Sequence, residues 1–172
     1  MNIFYLDKNP AVCAKYHNDK HVVKMILESA QLLCTALNVS AGEQVTPYKT
    51  THANHPCSIW IRESFANWYY VYNLMLELEQ EWMLRYNHSF SKHHKSVDAL
   101  VKQDYGSFMT IVGLARNVLP NRPLSAPALA MPDEYKTSDP VESYRNYYRE
   151  AKKDLNIYTN REKPFWLENL KE

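Results

Sequence analysis

The residues of this chain that could most readily do chemistry lie in one short stretch, "YHNDKHVVKMILE", residues 16–28. Polar and ionisable side chains are mixed there with residues typical of a buried helix. At about 100° per residue, four of them fall in one polar stripe with Lys20 at its edge. The four are His17, His21, Lys24 and Glu28. Because the rest of the helix is apolar, the stripe favours the wall of a cleft over a solvated face.

A metal site is the first chemistry to consider for this stripe. His17 and His21 have the i, i+4 spacing that can place two imidazoles on one zinc ion. Glu28, however, lies about 10 Å further along the helix axis, too far to complete the site. Lys20 and Lys24 would also repel a cation. The sequence therefore predicts no metal and no cofactor.

Anion binding fits the charges of the stripe better. Histidines and lysines in line could follow one or two phosphates through charge-assisted hydrogen bonds. Glu28 has no place in such a phosphate site, which leaves two interpretations of it. It is a catalytic acid or base, or it is the i+4 salt-bridge partner of Lys24.

A second polar cluster, "THANHP", precedes a helix predicted to begin near residues 56–58. His52, Asn54, His55 and Arg62 surround the start of that helix, where unpaired backbone N–H groups attract anions. This arrangement predicts further phosphate contacts. The alternative is that Asn54 or Thr51 only caps the helix and leaves the histidines exposed.

Arginines alternate with aromatic residues near the end of the chain. Arg145, Arg149 and Arg161 could add phosphate contacts, and the neighbouring tyrosines could stack on bases. A solvated helix face and an aromatic core explain the same pattern. The histidines at 88, 93 and 94 receive no predicted role, and Cys57 has no clear base that would make it a nucleophile.

Composition predicts a compact, all-α protein with one domain over residues 1–172. The chain has 3 glycines and 9 prolines, and 45% of it is hydrophobic. A formal charge of +1 excludes a large basic field, so any contact with nucleic acid must be local. Three cysteines without CxxC spacing fit a reducing cytoplasm. No signal peptide or 18-residue uncharged apolar run is found, so no membrane span is expected.

Apolar periodicity predicts two long helices and long ordered loops around them. The predicted helices are Pro10 to about Leu37, Pro56 to about Tyr86, Val97–Gln103, Ser107–Val118 and Pro140 to about Lys153. Glu77, Glu79 and Glu81 are expected to face solvent. "NIFYL" is predicted to be a short strand or an extended arm. The proline-rich "LPNRPLSAPALAMPDEY" is predicted to cross the surface without helix.

Five motifs resemble a family of small, mostly uncharacterised bacteriophage-type proteins. They are "NIFYLD", "YHxDKHVVKMILExAQLL", "NHPxxIWxRES", "AMPDEYK" and "YRNYY". The resemblance covers nearly the whole chain but implies little about function. It would place the protein in the cytoplasm of a host cell.

A more remote resemblance, over the first half, is to the pyrimidine-dimer DNA glycosylases of the endonuclease V type. It rests on His21 with Glu28 seven residues later, and on a histidine-led long helix that closes in "RYN", residues 85–87. Those proteins are compact and all-helical. A glutamate of their first long helix works with an amine that attacks the sugar C1′, expels the base and forms a Schiff base. The resemblance implies that Glu28 is this carboxylate.

The chain departs from that family at the nucleophile. The family uses an α-amine exposed by loss of the initiator methionine, whereas Met1 here precedes Asn2, which is too bulky for the usual removal. The Met1 amine, Lys24 or Lys20 would then attack, or the lyase chemistry is absent. We expect a DNA glycosylase or glycosylase/lyase that acts on DNA or a nucleotide, with His21 beside Glu28 and Lys24. The alternatives are a non-catalytic nucleotide-binding protein and a metal hydrolase.

Overall fold

The computed structural model describes residues 1–168, and it confirms the predicted all-α fold. The helices of these residues are α1 (Pro10–Tyr16), α2 (Asp19–Ala41), α3 (Pro56–Arg62), α4 (Phe65–Arg85), α5 (Lys95–Val101), α6 (Ile111–Val118), α7 (Pro140–Ala151) and α8 (Phe165–Glu168). Single 3₁₀ turns lie at Gly106–Phe108, Asp133–Tyr135 and Lys153–Leu155. No strand occurs in this part of the chain.

The core is built around α2 and α4, which pack on each other, while α1 and α3 also pack against α4. The apolar face predicted for the first helix is buried, including Val22, Ile26 and Leu33. Trp68 of α4 is fully buried and donates its indole N–H to the Leu33 carbonyl at 3.2 Å. By length and apolar composition alone α2 could cross a membrane, but 67% of its most apolar window is buried inside the protein.

The first predicted helix is in fact two helices, with a break at His17 and Asn18. His17 has extended backbone, and the Asn18 side chain caps α2 by accepting from the His21 N–H at 2.9 Å. The second predicted helix breaks in the same way at Ser64, whose hydroxyl accepts from the Asn67 N–H at 3.0 Å. The polar stripe therefore begins at α2, and His17 is not part of it.

The prediction that Glu79 and Glu81 face solvent is wrong, because both are buried. Glu79 accepts from the His94 backbone N–H at 2.6 Å and lies 3.4 Å from the His93 ring. Glu81 pairs with Arg85 at 3.1 Å and also with Arg161. Each carboxylate thus holds a loop that comes later in the chain against α4.

Arg85 is an extensively bonded side chain of the core and is only 1% exposed. Besides Glu81 it contacts the Asp19 carboxylate at 3.0 Å. It also donates to two backbone carbonyls of the α1–α2 junction, those of His17 at 2.8 Å and Lys15 at 3.0 Å. One guanidinium therefore ties the break between α1 and α2 to the end of α4.

The remaining elements differ from prediction mainly at their ends. α5 begins two residues before the predicted Val97, and α6 begins only at Ile111. α7 starts as predicted, with the Asp139 carboxylate accepting from the Val141 N–H at 2.9 Å. The proline-rich segment crosses the surface as expected, and the Asn67 side chain holds it at Ser125.

Candidate functional site

The N-terminal segment, residues 1–7, is a buried arm that contacts distant parts of the chain. Asn2 donates to the Ala130 carbonyl at 2.8 Å. The Leu6 carbonyl accepts from Arg145 at 3.0 Å, and the Asp7 carbonyl accepts from the Tyr70 hydroxyl at 2.6 Å. The arm is therefore held by α4, by α7 and by the segment before Asp133.

The first residues of this arm lie against the start of α3. The Asn2 side-chain oxygen is 3.8 Å from the Cys57 sulfur. The cap of α3 is His55, whose Nδ1 accepts from the Cys57 N–H at 3.2 Å; it is neither Asn54 nor Thr51. Burial raises the pKa of the Cys57 thiol to about 11, so this cysteine is a poor nucleophile.

The charge of Glu28 acts on the same histidine. Burial, and then the positive charge of the Met1 amine, lower the pKa of the His55 imidazole. His52 acts in the same direction, and the Glu28 carboxylate opposes them. We call Met1, Glu28, His52 and His55 the N-terminal cluster.

Glu28 is also in an ion pair with Lys24, with 3.1 Å between Nζ and Oε1. This is the salt bridge that the i, i+4 spacing allows. The Lys24 side chain is 59% exposed, whereas that of Glu28 is 15% exposed. Within residues 1–168 no protein group donates to the second carboxylate oxygen of Glu28, which leaves it available for another contact.

Phe4 connects the arm to His21 on α2. Its ring stacks on the His21 imidazole with centroids 4.2 Å apart, and the ring of Tyr147 from α7 is nearly parallel to it at 6.3 Å. Phe4 has a φ of +44°, a left-handed conformation that is strained for a bulky residue. Such strain persists only where the surroundings enforce it, here through the contacts of Asn2 and Leu6 on either side.

His21 is almost fully buried, and its Nδ1 lies 2.5 Å from the Tyr148 hydroxyl. Burial is the main cause that lowers its pKa to about 3, followed by positive charge from His17. The remaining causes are the ammonium groups of Lys152, Lys24 and Lys20. His21 is therefore neutral at physiological pH, which contradicts the expectation that it binds phosphate as a cation.

His17 is enclosed in the core with no exposed surface. Its Nδ1 is 2.8 Å from the Cys13 carbonyl, and its Nε2 has no partner within residues 1–168. Burial lowers its pKa to about 4. The predicted phosphate contact of His17 is thus incompatible with its position, because no ligand can reach the ring.

The other predicted phosphate ligands are divided between surface and structural positions. Lys20, His52 and Asn54 are exposed, and His52 bonds the Thr51 hydroxyl at 2.7 Å.

Arg62 donates to the Ala53 carbonyl at 2.5 Å. Arg145 pairs with Asp7 and lies over three aromatic rings, the nearest that of Trp166 at 5.4 Å. The two arginines therefore hold the chain together where we expected phosphate contacts.

Three residues next to this site escaped the sequence analysis. No pattern in the sequence predicts a role for Phe4 or Lys152, and Tyr148 is predicted only as a core or base-stacking residue. Lys152 follows the last turn of α7 and carries no motif of its own, so no sequence signal could have placed it beside α2. Within residues 1–168 no group of three or more His, Cys, Asp or Glu side chains is arranged to hold a metal ion.

No protein-family model, curated protein or solved structure matches this chain. The candidate site therefore rests on the geometry of its own residues.

Proposed function

We propose that this protein is a DNA N-glycosylase with lyase activity, acting on a damaged or modified base. Its nucleophile is the Met1 α-amine and its carboxylate is Glu28. The observation that supports this most directly is the position of the arm, where Asn2 lies 3.8 Å from Cys57 at the start of α3, the helix that His55 caps. The amine and Glu28 both act on the His55 imidazole. The resemblance to the endonuclease V type of glycosylase points to the same pair of groups.

The amine is a better candidate for the nucleophile than either lysine. Lys24 is well exposed, and its ammonium is engaged in an ion pair with Glu28. Lys20 is exposed to water. The amine, by contrast, is carried by an arm that Asn2 anchors to Ala130. α-Amines also lose their proton more readily than lysine side chains, so more of the free base exists at neutral pH.

The chemistry needs few groups. The unprotonated amine attacks C1′, the bond from C1′ to the base breaks, and the base leaves with the bonding electrons and takes up a proton. The attacking nitrogen then loses a proton, the bond from C1′ to the ring oxygen O4′ breaks, and O4′ takes up a proton from solvent. The nitrogen lone pair completes the protonated Schiff base to C1′. The Glu28 carboxylate stabilises the positive charge that develops on the sugar as the base departs.

A net charge of +1 requires that DNA be held by local cations. Lys20 and Lys24 lie on the same side of α2 as Glu28, and the charge of Lys152, which follows α7, acts on the imidazole of His21 on the same helix. The base itself must leave the stack to be processed. The half-buried ring of Tyr147 offers one surface on which a base could stack.

Borohydride trapping tests this proposal. Oligonucleotides with an abasic site or with modified bases are incubated with the protein and borohydride, which reduces a Schiff base to a stable adduct. We expect an adduct whose formation falls at least about 100-fold in Glu28→Gln. Peptide mass analysis should locate the adduct at the N-terminal amine. The matched control, Lys24→Gln, should keep the adduct.

Two results would overturn the proposal. An adduct on a lysine would reject the amine as the nucleophile. Absence of any adduct, with a small nucleotide bound equally well by the wild type and by Glu28→Gln, would favour the non-catalytic nucleotide-binding protein. That alternative needs the cationic surface but has no use for Glu28.

A further inference from the structure

The cavity between the N-terminal arm and the start of α7 takes no part in the proposed chemistry. It has a volume of about 440 Å³, within the range of about 300–1,000 Å³ that is usual for sites that bind small molecules. Its walls come from the arm and the residue after it, from the proline-rich segment and from the first turn of α7. Neither Met1 nor Glu28 lines it, so it is a separate candidate site.

The buried side chain of Tyr5 brings an unused hydroxyl to this cavity. Tyr5 is only 5% exposed, and its ring packs on that of Tyr70 with centroids 4.7 Å apart. Within residues 1–168 its hydroxyl has no hydrogen-bond partner, yet it is not among the enclosed atoms that lack one. The small exposed part of Tyr5 therefore includes the hydroxyl, at the cavity that Tyr5 lines. Burial raises the pKa of Tyr5 to about 12, so the hydroxyl keeps its proton and can donate it.

A second hydroxyl of the cavity wall, that of Ser125, also has a proton to donate. Its oxygen accepts from the indole N–H of Trp60 at 3.0 Å and from the side-chain amide of Asn67 at 2.9 Å. These two bonds occupy its lone pairs, and its proton has no acceptor within residues 1–168. Lys8 lines the same cavity, and its ammonium pairs with no carboxylate of the described residues. Three donors, one of them charged, are therefore available to the carboxylate of a ligand.

The carboxylate of Asp139 belongs to the same wall. Its Oδ1 caps α7 by accepting from the Val141 N–H at 2.9 Å. Its other oxygen accepts no hydrogen bond within residues 1–168, and no ion pair joins Asp139 to Lys8. Among the described residues, Asp139 is the only acidic one that lines the cavity. The cavity thus presents one positive and one negative charge that are not paired with each other.

We propose that this cavity binds a free α-amino acid with an apolar side chain. Lys8 and the hydroxyls of Tyr5 and Ser125 bind its carboxylate, and Asp139 binds its ammonium group. The apolar part of the wall, which receives the side chain, is formed by Leu124, Pro127 and Val141. A ligand with both charges satisfies both groups of the wall, whereas a peptide terminus carries only one of them and leaves the other unpaired. The proposal does not depend on the glycosylase activity.

Titration of the full-length protein with L-leucine, followed by ¹H–¹⁵N correlation NMR, tests the proposal. N-acetyl-L-leucine and L-leucinamide are the matched compounds, because each lacks one of the two charges. We expect L-leucine to bind at least about tenfold more tightly than either compound, with the largest shifts in the amides of the cavity wall. Absence of a saturable shift up to about 10 mM L-leucine, or equal affinity for all three compounds, would overturn the proposal.

Two charge substitutions test the assigned contacts. Asp139→Asn keeps the helix cap, since asparagine caps helices as well as aspartate does, but it removes the negative charge. It should weaken binding of L-leucine about tenfold and leave that of N-acetyl-L-leucine unchanged. Lys8→Gln should weaken binding of L-leucine and leave that of L-leucinamide unchanged. Lys49→Gln and Asp154→Asn, at exposed positions outside the cavity, should bind all three compounds as the wild type does.

Tyr5→Phe separates a role in binding from a role in folding. Because the hydroxyl has no partner in residues 1–168, its removal should leave the midpoint of urea denaturation unchanged and weaken binding of L-leucine about fivefold. Unchanged affinity in Tyr5→Phe, or an equal loss of affinity for all three compounds in Asp139→Asn, would overturn the proposed contacts.

Discussion

Replacing Arg85 with methionine is expected to lower the free energy of unfolding by about 3–5 kcal/mol. The substitution keeps most of the side-chain volume but removes every hydrogen bond of the guanidinium. The carbonyls of Lys15 and His17 then lose their donor, and the Asp19 carboxylate loses its ion pair. The loss is large because removing one partner leaves buried polar groups without compensation.

Urea denaturation followed by circular dichroism measures this effect. Arg116→Met is a matched control, because Arg116 is exposed and only lies over the Phe65 ring at 4.6 Å. It should cost less than about 1 kcal/mol. If Arg85→Met also lowers the free energy of unfolding by less than about 1 kcal/mol, the network around Arg85 contributes little to stability.

Mild acid is expected to destabilise the protein through His17 and His21. Burial holds their pKa values at about 4 and about 3, whereas in the unfolded chain both would lie near 6.5. The unfolded state therefore binds more protons below pH 6.5, and stability falls as the pH decreases. Between pH 8 and pH 5 the expected loss is about 2 kcal/mol for each histidine. The loss of stability continues until the pH falls below the pKa values of the two histidines in the folded state.

Urea denaturation at pH 8, 7, 6 and 5 checks this prediction. A His21→Gln variant should show a flatter dependence on pH, because one of the two groups is gone. His88→Gln serves as the control, since His88 lies in a surface loop, half-buried against Trp82. Stability that stays constant from pH 7 to pH 5 would contradict the proposed burial of neutral histidines.

The sequence predicted the elements whose signals are local. Asn9 with Pro10 and Asp139 with Pro140 marked true helix starts, because a capping side chain and a proline at the first helical position act on adjacent backbone. The breaks at Asn18 and Ser64 were missed because no proline or glycine marks them. Each is a polar cap inside an otherwise continuous helical pattern, and the pattern alone does not reveal which cap is used.

The site was predicted less well because it depends on long-range contacts. Glu79 and Glu81 were predicted to face solvent. Their burial could not be foreseen, because their partners at 93–94 and at Arg161 are remote in the chain. His17 and His21 were predicted to be cations, because their spacing in the sequence does not reveal that both are buried among aromatic rings. Glu28 stands out already in the sequence, but its shared influence with the Met1 amine on His55 depends on the fold of the whole arm.

The buried arm has a consequence for biosynthesis. Asn2 bonds to Ala130, 128 residues later, and Leu6 bonds to Arg145, 139 residues later. Because the ribosome releases residues 1–7 long before these partners, the contacts with Ala130 and with α7 can form only after those later segments have been made. The N-terminal cluster and the ring of His21 can therefore be completed only near the end of folding, so a nascent chain should carry no assembled site.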